Sequence, residues 1–386
     1  MTPTSRDPRL SPGSQRPRAA EFFAGIGLVG LALEQVGFKV IYANDVDPEK
    51  FALFSANFDT QPYVVRDIRQ VEGTSIPDIE LATASFPCTD LSLAGNRAGL
   101  SGRESSMFWE FARVLDEMDR RRPSVVLLEN VPGFATSRSG RDLSAAIAEL
   151  NRLGYACDLL VLDARWYVPQ SRQRMFIVGS QGPVPKVADW TPSTIRPAWV
   201  QRFVNEHPEL TLQAGALPEP PRLSTHLADI VLRLAGDDPK WWSSDRVGRF
   251  LCSLSAIQRR RAEALRSSVG LTWRTAYRRT RDGRAVWEIR ADDSAGCLRT
   301  TRGGSSKQAL VEAGRGDLRV RWLTPREYAA LQGVPDFDLL GSRDSQAYFA
   351  FGDAVCVPVI AWIAEHYLWP LAAAVDKTDD DLARSA

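Results

Sequence analysis

The chain has 386 residues but only three histidines, five cysteines and four methionines. His207, His226 and His366 stand far apart without metal spacing, so no metal centre is expected. Cys88, Cys157, Cys252, Cys297 and Cys356 are odd in number and lack paired spacing, which argues against a disulfide framework and against a zinc cluster. Reduced thiols are expected. No apolar run reaches the roughly 18 residues of a membrane span, and residues 1–18 lack the apolar centre of a signal peptide. The expectation from these absences is a soluble, cytoplasmic protein with no membrane partner; a monomer is expected as well. An excess of one charge is also missing, since 48 basic residues face 47 acidic ones. Taken alone, that balance argues against a nucleic-acid partner, but an average can hide a local surplus.

The surplus is present. Between Gln258 and Arg290 lie ten arginines (259, 260, 261, 266, 274, 278, 279, 281, 284 and 290) against Glu263, Asp282 and Glu288. Trp273, Tyr277 and Trp287 are interleaved with them, and cations with aromatic rings suit phosphate clamping and base stacking. A solvated arginine-rich helix is the plainer reading of the same residues.

At 44% hydrophobic and 25% charged, the composition fits a globular protein of one or two domains. Residues 1–18, rich in proline, serine and arginine, read as a disordered tail. From 19 to 180, short apolar runs (AAEFFAG, KVIYAND, IELATASF, SVVLLEN, ACDLLVLDA, RMFIVGS) alternate with amphipathic stretches, the pattern of an α/β parallel sheet. Regularity is lost over 181–316, which reads as a second, smaller domain, followed by a hinge segment at 317–346. Apolar helical text at 347–372 reads as a final helix returning to the first domain, which would make that domain discontinuous, and 373–386 is an acidic tail.

Gly25-Ile26-Gly27-Leu28-Val29-Gly30 satisfies G-x-G-x-x-G, with Asp45 at the end of the next apolar run. Glycines let the backbone turn tightly against a ligand, and an acid at a strand end accepts ribose hydroxyls, so an adenosine-bearing cofactor fits, as does a purely structural turn. Asp67-Ile68, after Val64-Val65, forms another wall of such a pocket. Cys88 follows Pro87 directly beyond the apolar run Leu81–Ala84, and Glu129 follows Val125–Leu128, so a thiol and a carboxylate surface on one sheet rim. Arg172 and Arg174 precede the run Met175–Val178 at a spacing of two, which on an extended chain turns both to one side.

Together these motifs resemble the DNA cytosine-5 methyltransferases of bacterial restriction-modification systems. Phe23-Ala24-Gly25-Ile26-Gly27 resembles the family's cofactor motif, Phe86-Pro87-Cys88 its nucleophile motif, Glu129-Asn130-Val131 its acid motif, and Gln170–Arg174 its Q-x-R-x-R. Arg299–Gly304, Leu323–Glu327 and Phe351–Val355 resemble the segments that follow the recognition region. The likeness covers about 19–180 and 295–371, and the variable stretch 181–294 falls where the family keeps its target-recognition region.

The resemblance implies a Rossmann-like S-adenosylmethionine-dependent sheet with a mixed target-recognition domain, and the activity DNA (cytosine-5-)-methyltransferase (EC 2.1.1.37). It implies that Cys88 attacks C6 of a flipped cytosine, Glu129 holds N3 and the exocyclic amine, Arg174 binds O2, and Arg172 supports Glu129 or the loop. For S-adenosyl-L-methionine it implies Phe23, Ala24, Gly25, Gly27, Asp45, Val46, Asp67, Ile68, Pro87, Met107, Asp353 and Ala354. For double-stranded DNA it implies Ser92, Arg97, Arg274, Arg278, Arg279, Arg299, Thr301, Arg302 and Gly303, with a separate cognate restriction endonuclease and nucleoid association. The chain departs from the family where Asp353 replaces the usual asparagine and Val46 the frequent tryptophan. Three other readings compete: a transfer-RNA methyltransferase on the same catalytic fold, a nicotinamide-dependent oxidoreductase, and a non-catalytic DNA-binding relative. The Cys88, Glu129 and Arg174 set leaves the oxidoreductase reading unsupported.

Overall fold

The computed structural model describes residues 16–87, 107–182, 190–281, 283–300, 307–339 and 341–373. Cys88, Ser92, Arg97, Thr301, Arg302, Gly303, the first fifteen residues and the tail from 374 lie outside the described residues. The chain divides into two compact units, one of residues 1–162, 173–220 and 359–386, the other of 163–172 and 221–358.

The first unit runs β1 (Arg18–Phe22), α1 (Leu28–Val36), β2 (Lys39–Asp45), α2 (Pro48–Ser55), β3 (Tyr63–Val65), β4 (Leu81–Ala84), α3 (Met107–Glu117), β5 (Val125–Asn130), α4 (Arg141–Arg152), β6 (Ala156–Asp163), β7 (Gln173–Ser180) and α5 (Ala198–Glu206). Among the described residues its strands form a seven-stranded sheet in the order β3-β2-β1-β4-β5-β7-β6. Six of them are the six apolar runs of the sequence. β1 pairs in parallel with β2 and β4, and β4 with β5, whereas β7 runs antiparallel to β5, a departure from the all-parallel expectation. Helices cover the sheet through apolar stripes at helical spacing: Phe108, Phe111, Ala112 and Leu115 on α3, and Leu143, Ala146, Ile147 and Leu150 on α4.

This unit extends past the expected boundary at 181. Val200 and Phe203 of α5 join the same apolar core as Leu159 and Ile147, and beyond the helix Cys157 and Leu212 form a parallel bridge. There Asp158, fully buried, takes Arg196 on both oxygens (2.9 and 2.5 Å), the Gly215 amide (2.9 Å) and the Tyr367 hydroxyl (2.9 Å). These partners offset the cost of burying the charge.

The second unit contains α6 (Leu227–Ile230), α7 (Ser244–Cys252), α8 (Ala256–Arg266), β8 (Thr272–Arg281), β9 (Arg284–Ile289), β10 (Ala309–Gly314), β11 (Asp317–Trp322), α9 (Pro325–Leu331) and α10 (Asp344–Asp353). Its sheet, in the order β11-β10-β8-β9, backs onto an aromatic core of Trp242, Phe250, Trp287 and Trp322. The expected hinge at 317–346 instead holds β11, α9 and the start of α10, within this unit. Arg321 and Glu327, both fully buried, pair at 2.5 Å while Thr324 caps α9.

α11 (Val357–Ile363) begins at the unit boundary, and the chain from Val359 belongs to the first unit, where Trp369 packs edge-on against Phe38. By length and composition the stretch Asp344–Ala373 is apolar enough to cross a membrane, which the sequence reading did not anticipate, yet most of it is buried within the protein as core helices are.

Removing the Tyr367 hydroxyl (Tyr367→Phe) is expected to cost about 1–3 kcal/mol by leaving a buried carboxylate short of a donor. Arg196→Met, which strands that charge, is expected to cost about 3–5 kcal/mol. Urea denaturation measures both, and an Arg196→Met protein as stable as the parent would show that the network contributes nothing.

Candidate active site

The register of β5 against β7 pairs Glu129 with Phe176 and Asn130 with Met175. Arg174 lies two residues before Phe176, on the same face as Glu129 and diagonal to it, which is within reach of a long side chain. Its Nε stands 2.7 Å from Glu129 Oε1, both side chains being mostly buried. The antiparallel strand thus delivers a guanidinium to a carboxylate at the C-terminal end of a sheet strand, where open α/β sheets bind ligands.

Cys88 lies outside the described residues, but the chain leading to it does not. Phe86 is buried against Phe108 and Phe134, and its carbonyl accepts a hydrogen bond from Asn130 Nδ2 (3.2 Å). Asn130 follows Glu129 directly, so one side chain ties the root of the cysteine segment to the strand that carries the acid. The sequence reading quoted Asn130 as part of the Glu-Asn-Val motif without giving it a role. Pro87 follows this anchor and is partly exposed, and Met107, at the start of α3, packs against the core.

The glycine turn is real, but each glycine has its own cause. Gly25 and Gly27 adopt left-handed φ (57° and 81°), and a Cβ on Gly27 would also stand 2.6 Å from the Phe54 ring. At Gly30 a Cβ would meet the Glu21 carboxylate at 2.7 Å. Phe23 itself has φ 58° and packs partly buried on the core, and the Ala24 amide bonds Asn44 O (2.9 Å). Asp45 holds the turn: Oδ2 accepts from the Gly25 amide (2.8 Å) and Oδ1 from the Asp47 amide (2.9 Å).

Each oxygen keeps a free lone-pair direction for a hydroxyl donor. Beside it Val46 and Val65 are unusually exposed for large apolar residues, at 63% and 43%, while Ile68 is buried. Acceptor oxygens next to uncovered apolar surface fit an adenosine moiety. Asp67 caps its own turn and pairs with Arg69 at 2.8 Å, which holds its carboxyl below the usual range.

Glu21, which the sequence reading left without a role, lies beneath this turn. It accepts from the Gly30 amide (2.9 Å), and burial pushes its pKa up to about 8, the nearby amides of Gly30 and Val29 opposing and the Asp45 and Glu34 carboxylates adding to the rise. Only its place in β1, after two alanines, hinted at burial.

Arg172 and Arg174 have different partners. β7 begins at Gln173, and Arg172 belongs to the second unit, where it is 3% exposed and donates to Leu298 O (2.8 Å) and Ala354 O (2.6 Å). It is a clamp on backbone carbonyls, together with the buried Gln170, which bonds Leu331 O and the Leu298 amide. The backbone of Ala354 is thereby fixed, while the Asp353 side chain is exposed. Gly352 is required there, because a Cβ would stand 2.4 Å from the Arg299 carbonyl.

The arginine cluster is largely spent within its own unit. Arg261 bonds Ile289 O, Arg266 bonds Gly316 O, Arg274 lies 3.7 Å from Asp293, and Arg290 pairs with Asp292 at 2.6 Å. Arg279 and Arg281 both reach Glu288 (3.3 and 2.9 Å), and Arg279 also lies over the Tyr277 ring. Arg278, Arg279, Arg281 and Arg284 remain solvent-exposed on the outer half of the β8–β9 hairpin, where Arg281 pairs with Arg284, and Arg299 is exposed elsewhere in the unit.

Residues 18–369 match the family model described as C-5 cytosine-specific DNA methylase. Among curated relatives, the Type II methyltransferase M.NlaX of Neisseria lactamica is 28% identical over 92% of this chain and 98% of its own length. M.HhaI of Haemophilus parahaemolyticus is 28% identical over 90% of this chain and 93% of its length. Among solved structures, the Entamoeba histolytica methyltransferase EhMeth superposes with a TM-score of 0.61 at 15% identity, covering 91% of this chain and 98% of its own. The Dnmt2 methyltransferase of S. pombe gives 0.59 at 17% identity, over 92% and 99%. With a family match spanning nearly the whole described chain, and with the acid, the arginine and the glycine turn on one rim of a seven-stranded sheet, the chain belongs to the C-5 cytosine-specific DNA methylase family, the S-adenosylmethionine-dependent DNA (cytosine-5-)-methyltransferases.

Proposed function

We propose that the chain methylates C5 of a cytosine flipped out of a specific duplex DNA site, by way of a covalent bond between Cys88 and C6, and serves as the modification arm of a restriction-modification system. The observation that carries this reading is the Glu129–Arg174 pair, held at 2.7 Å beside the anchored root of the cysteine segment.

C5 of cytosine is a poor nucleophile, and its methyl acceptor position is inaccessible inside a stacked duplex, so the base must be extruded and activated. The Cys88 thiolate adds to C6, forming the S–C6 bond and pushing electron density to C5. Glu129 holds N3 and the exocyclic amine, and Arg174 donates to O2, so that the charge developing on the ring is met by groups already in place. S-adenosylmethionine, when bound, supplies the methyl group as an electrophile. Loss of H5 to a base then expels the Cys88 sulfur and restores the aromatic ring. Asp45 takes the ribose hydroxyls, Val46 and Ile68 cover the adenine, and Phe23 to Gly27 form the floor beneath the cofactor.

Arg278 and Arg279 on the exposed hairpin, with Arg274 and Arg299, approach DNA, while Arg172 acts only by positioning. The names of M.NlaX and M.HhaI, both Type II methyltransferases, favour DNA over transfer RNA as substrate. A monomer in the bacterial cytoplasm, on the nucleoid when DNA-bound and with a separately acting endonuclease, completes the reading.

Expression in a host without cytosine methylation, followed by mapping of 5-methylcytosine, tests the proposal. Modification at one recurring sequence is expected, and none with Cys88→Ala; equal modification in both would sink it. Labelled-cofactor assays on transfer RNA separate the RNA reading. Glu129→Gln and Arg174→Met are each expected to lower kcat by about 10²–10³-fold. The double variant should lose less than the product of the two, because the residues act as a unit; strictly multiplicative losses would count against a shared role.

A further inference from the structure

Several arginines of the second unit have a carboxylate: Arg274 has Asp293, Arg281 has Glu288, Arg290 has Asp292, Arg319 has Glu312 and Arg321 has Glu327. Arg246 and Lys307 are different. The Arg246 guanidinium lies 4.0 Å from the Trp242 ring centroid and 5.3 Å from that of Trp322. The Lys307 ammonium lies 4.0 Å from the ring of Tyr348 and 5.6 Å from the same Trp322 ring. Among the described residues no carboxylate forms an ion pair with either.

Both cations are half-buried, so each has given up part of its hydration. Burial lowers the pKa of Arg246, and Arg249 on its own helix adds to the effect. Burial lowers that of Lys307 too; Asp344 opposes and Arg246 adds. A cation over an aromatic face returns about 0.5–1 kcal/mol at such partly exposed sites. That is little for two like charges gathered about one indole, where a single apolar side chain would pack as well. The indole is also fixed, since Trp322 packs against Trp242 at 5.1 Å and Trp287 at 5.7 Å. What the arrangement provides is a rigid site of net positive charge, offset in part by Asp344, that an anion completes.

We infer that Arg246 over Trp242 and Lys307 over Tyr348, with the Trp322 ring near both, form a clamp for backbone phosphates of the DNA duplex, separate in function from the β8–β9 hairpin. The occupant is a phosphodiester because the proposed substrate presents a regular run of them, and the inference rests on that reading of duplex DNA as substrate. A phosphate contact carries no sequence information, so the clamp fixes affinity and not the choice of site.

The test measures binding of the full-length protein, across a salt series, to a labelled duplex that carries a mapped methylation site and to one that lacks it. Arg246→Met and Lys307→Met keep the apolar stem over the rings, and Arg246→Lys keeps the charge. Each Met variant is expected to lower the slope of log affinity against log salt by about 0.9 and to weaken both duplexes alike. Arg246→Lys should keep the parental slope. A parental slope in both Met variants, or a loss confined to the site-bearing duplex, overturns the clamp. Should Arg246→Met fail to fold, Lys307→Met alone decides. A wild-type protein that methylates DNA while its slope ignores both substitutions removes the clamp and leaves the function standing; one that binds duplex with the expected slopes but deposits no 5-methylcytosine removes the function and leaves the clamp.

Discussion

The catalytic unit depends on one strand running against its neighbours. Were β7 parallel to β5, Arg174 would enter the sheet at the opposite edge from Glu129; because it is antiparallel, its first residues meet the last of β5. The two groups are mostly buried and 2.7 Å apart, so each offsets the desolvation of the other. The result is a charged pair whose positions are set by backbone hydrogen bonds before any base arrives, and which therefore needs little reorganisation when charge develops on that base. Asn130 extends the same economy to the thiol, since the strand that places the acid also fixes the chain entering the cysteine segment at Phe86.

Much of this was legible in the sequence. Six apolar runs gave six strands, and the carboxylates and the cysteine at their ends pointed to a single rim. Direction was not legible, because a strand buried on both faces shows the same apolar run whichever way it runs. Spacing could not assign the different partners of Arg172 and Arg174, since the rule that alternate residues share a side holds only within a strand, and the strand starts at Gln173. The arginine cluster misled in a different way. Its charge surplus was counted over a window of sequence, whereas two of its arginines, Arg261 and Arg266, bond carbonyls far along the chain, and Asp292 and Asp293, just outside the window, neutralise two more.

The boundary at 181 failed because composition marks where regular text stops, not where packing stops. The segment beyond it is rich in proline, yet Val200, Phe203 and Arg196 attach it to β6 and to the core beneath. A lone buried aspartate, Asp158, is what makes that attachment specific: it has partners from two distant stretches, at Arg196 and Gly215 and at Tyr367, and only one arrangement of the chain satisfies all of them.

The glycine fingerprint carries the most general lesson, because its pattern is satisfied while its usual physics is not. In a dinucleotide site the glycines make room for a pyrophosphate; here Gly27 makes room for Phe54 and Gly30 for the Glu21 carboxylate, and Asp45 bonds the turn itself. Glu21 then has a consequence for stability. Its folded pKa of about 8 exceeds the ordinary 4.5, so the folded protein keeps a proton that the unfolded chain gives up. The stabilising contribution is complete below pH 4.5 and is lost as the pH rises through about 8. Glu21→Gln retains an acceptor for the Gly30 amide and cannot ionise, so its stability should fall less than that of the parent across that window. Urea denaturation over the pH series measures the difference, and parallel curves for the two proteins would mean that the carboxyl under the glycine turn is not the titrating group.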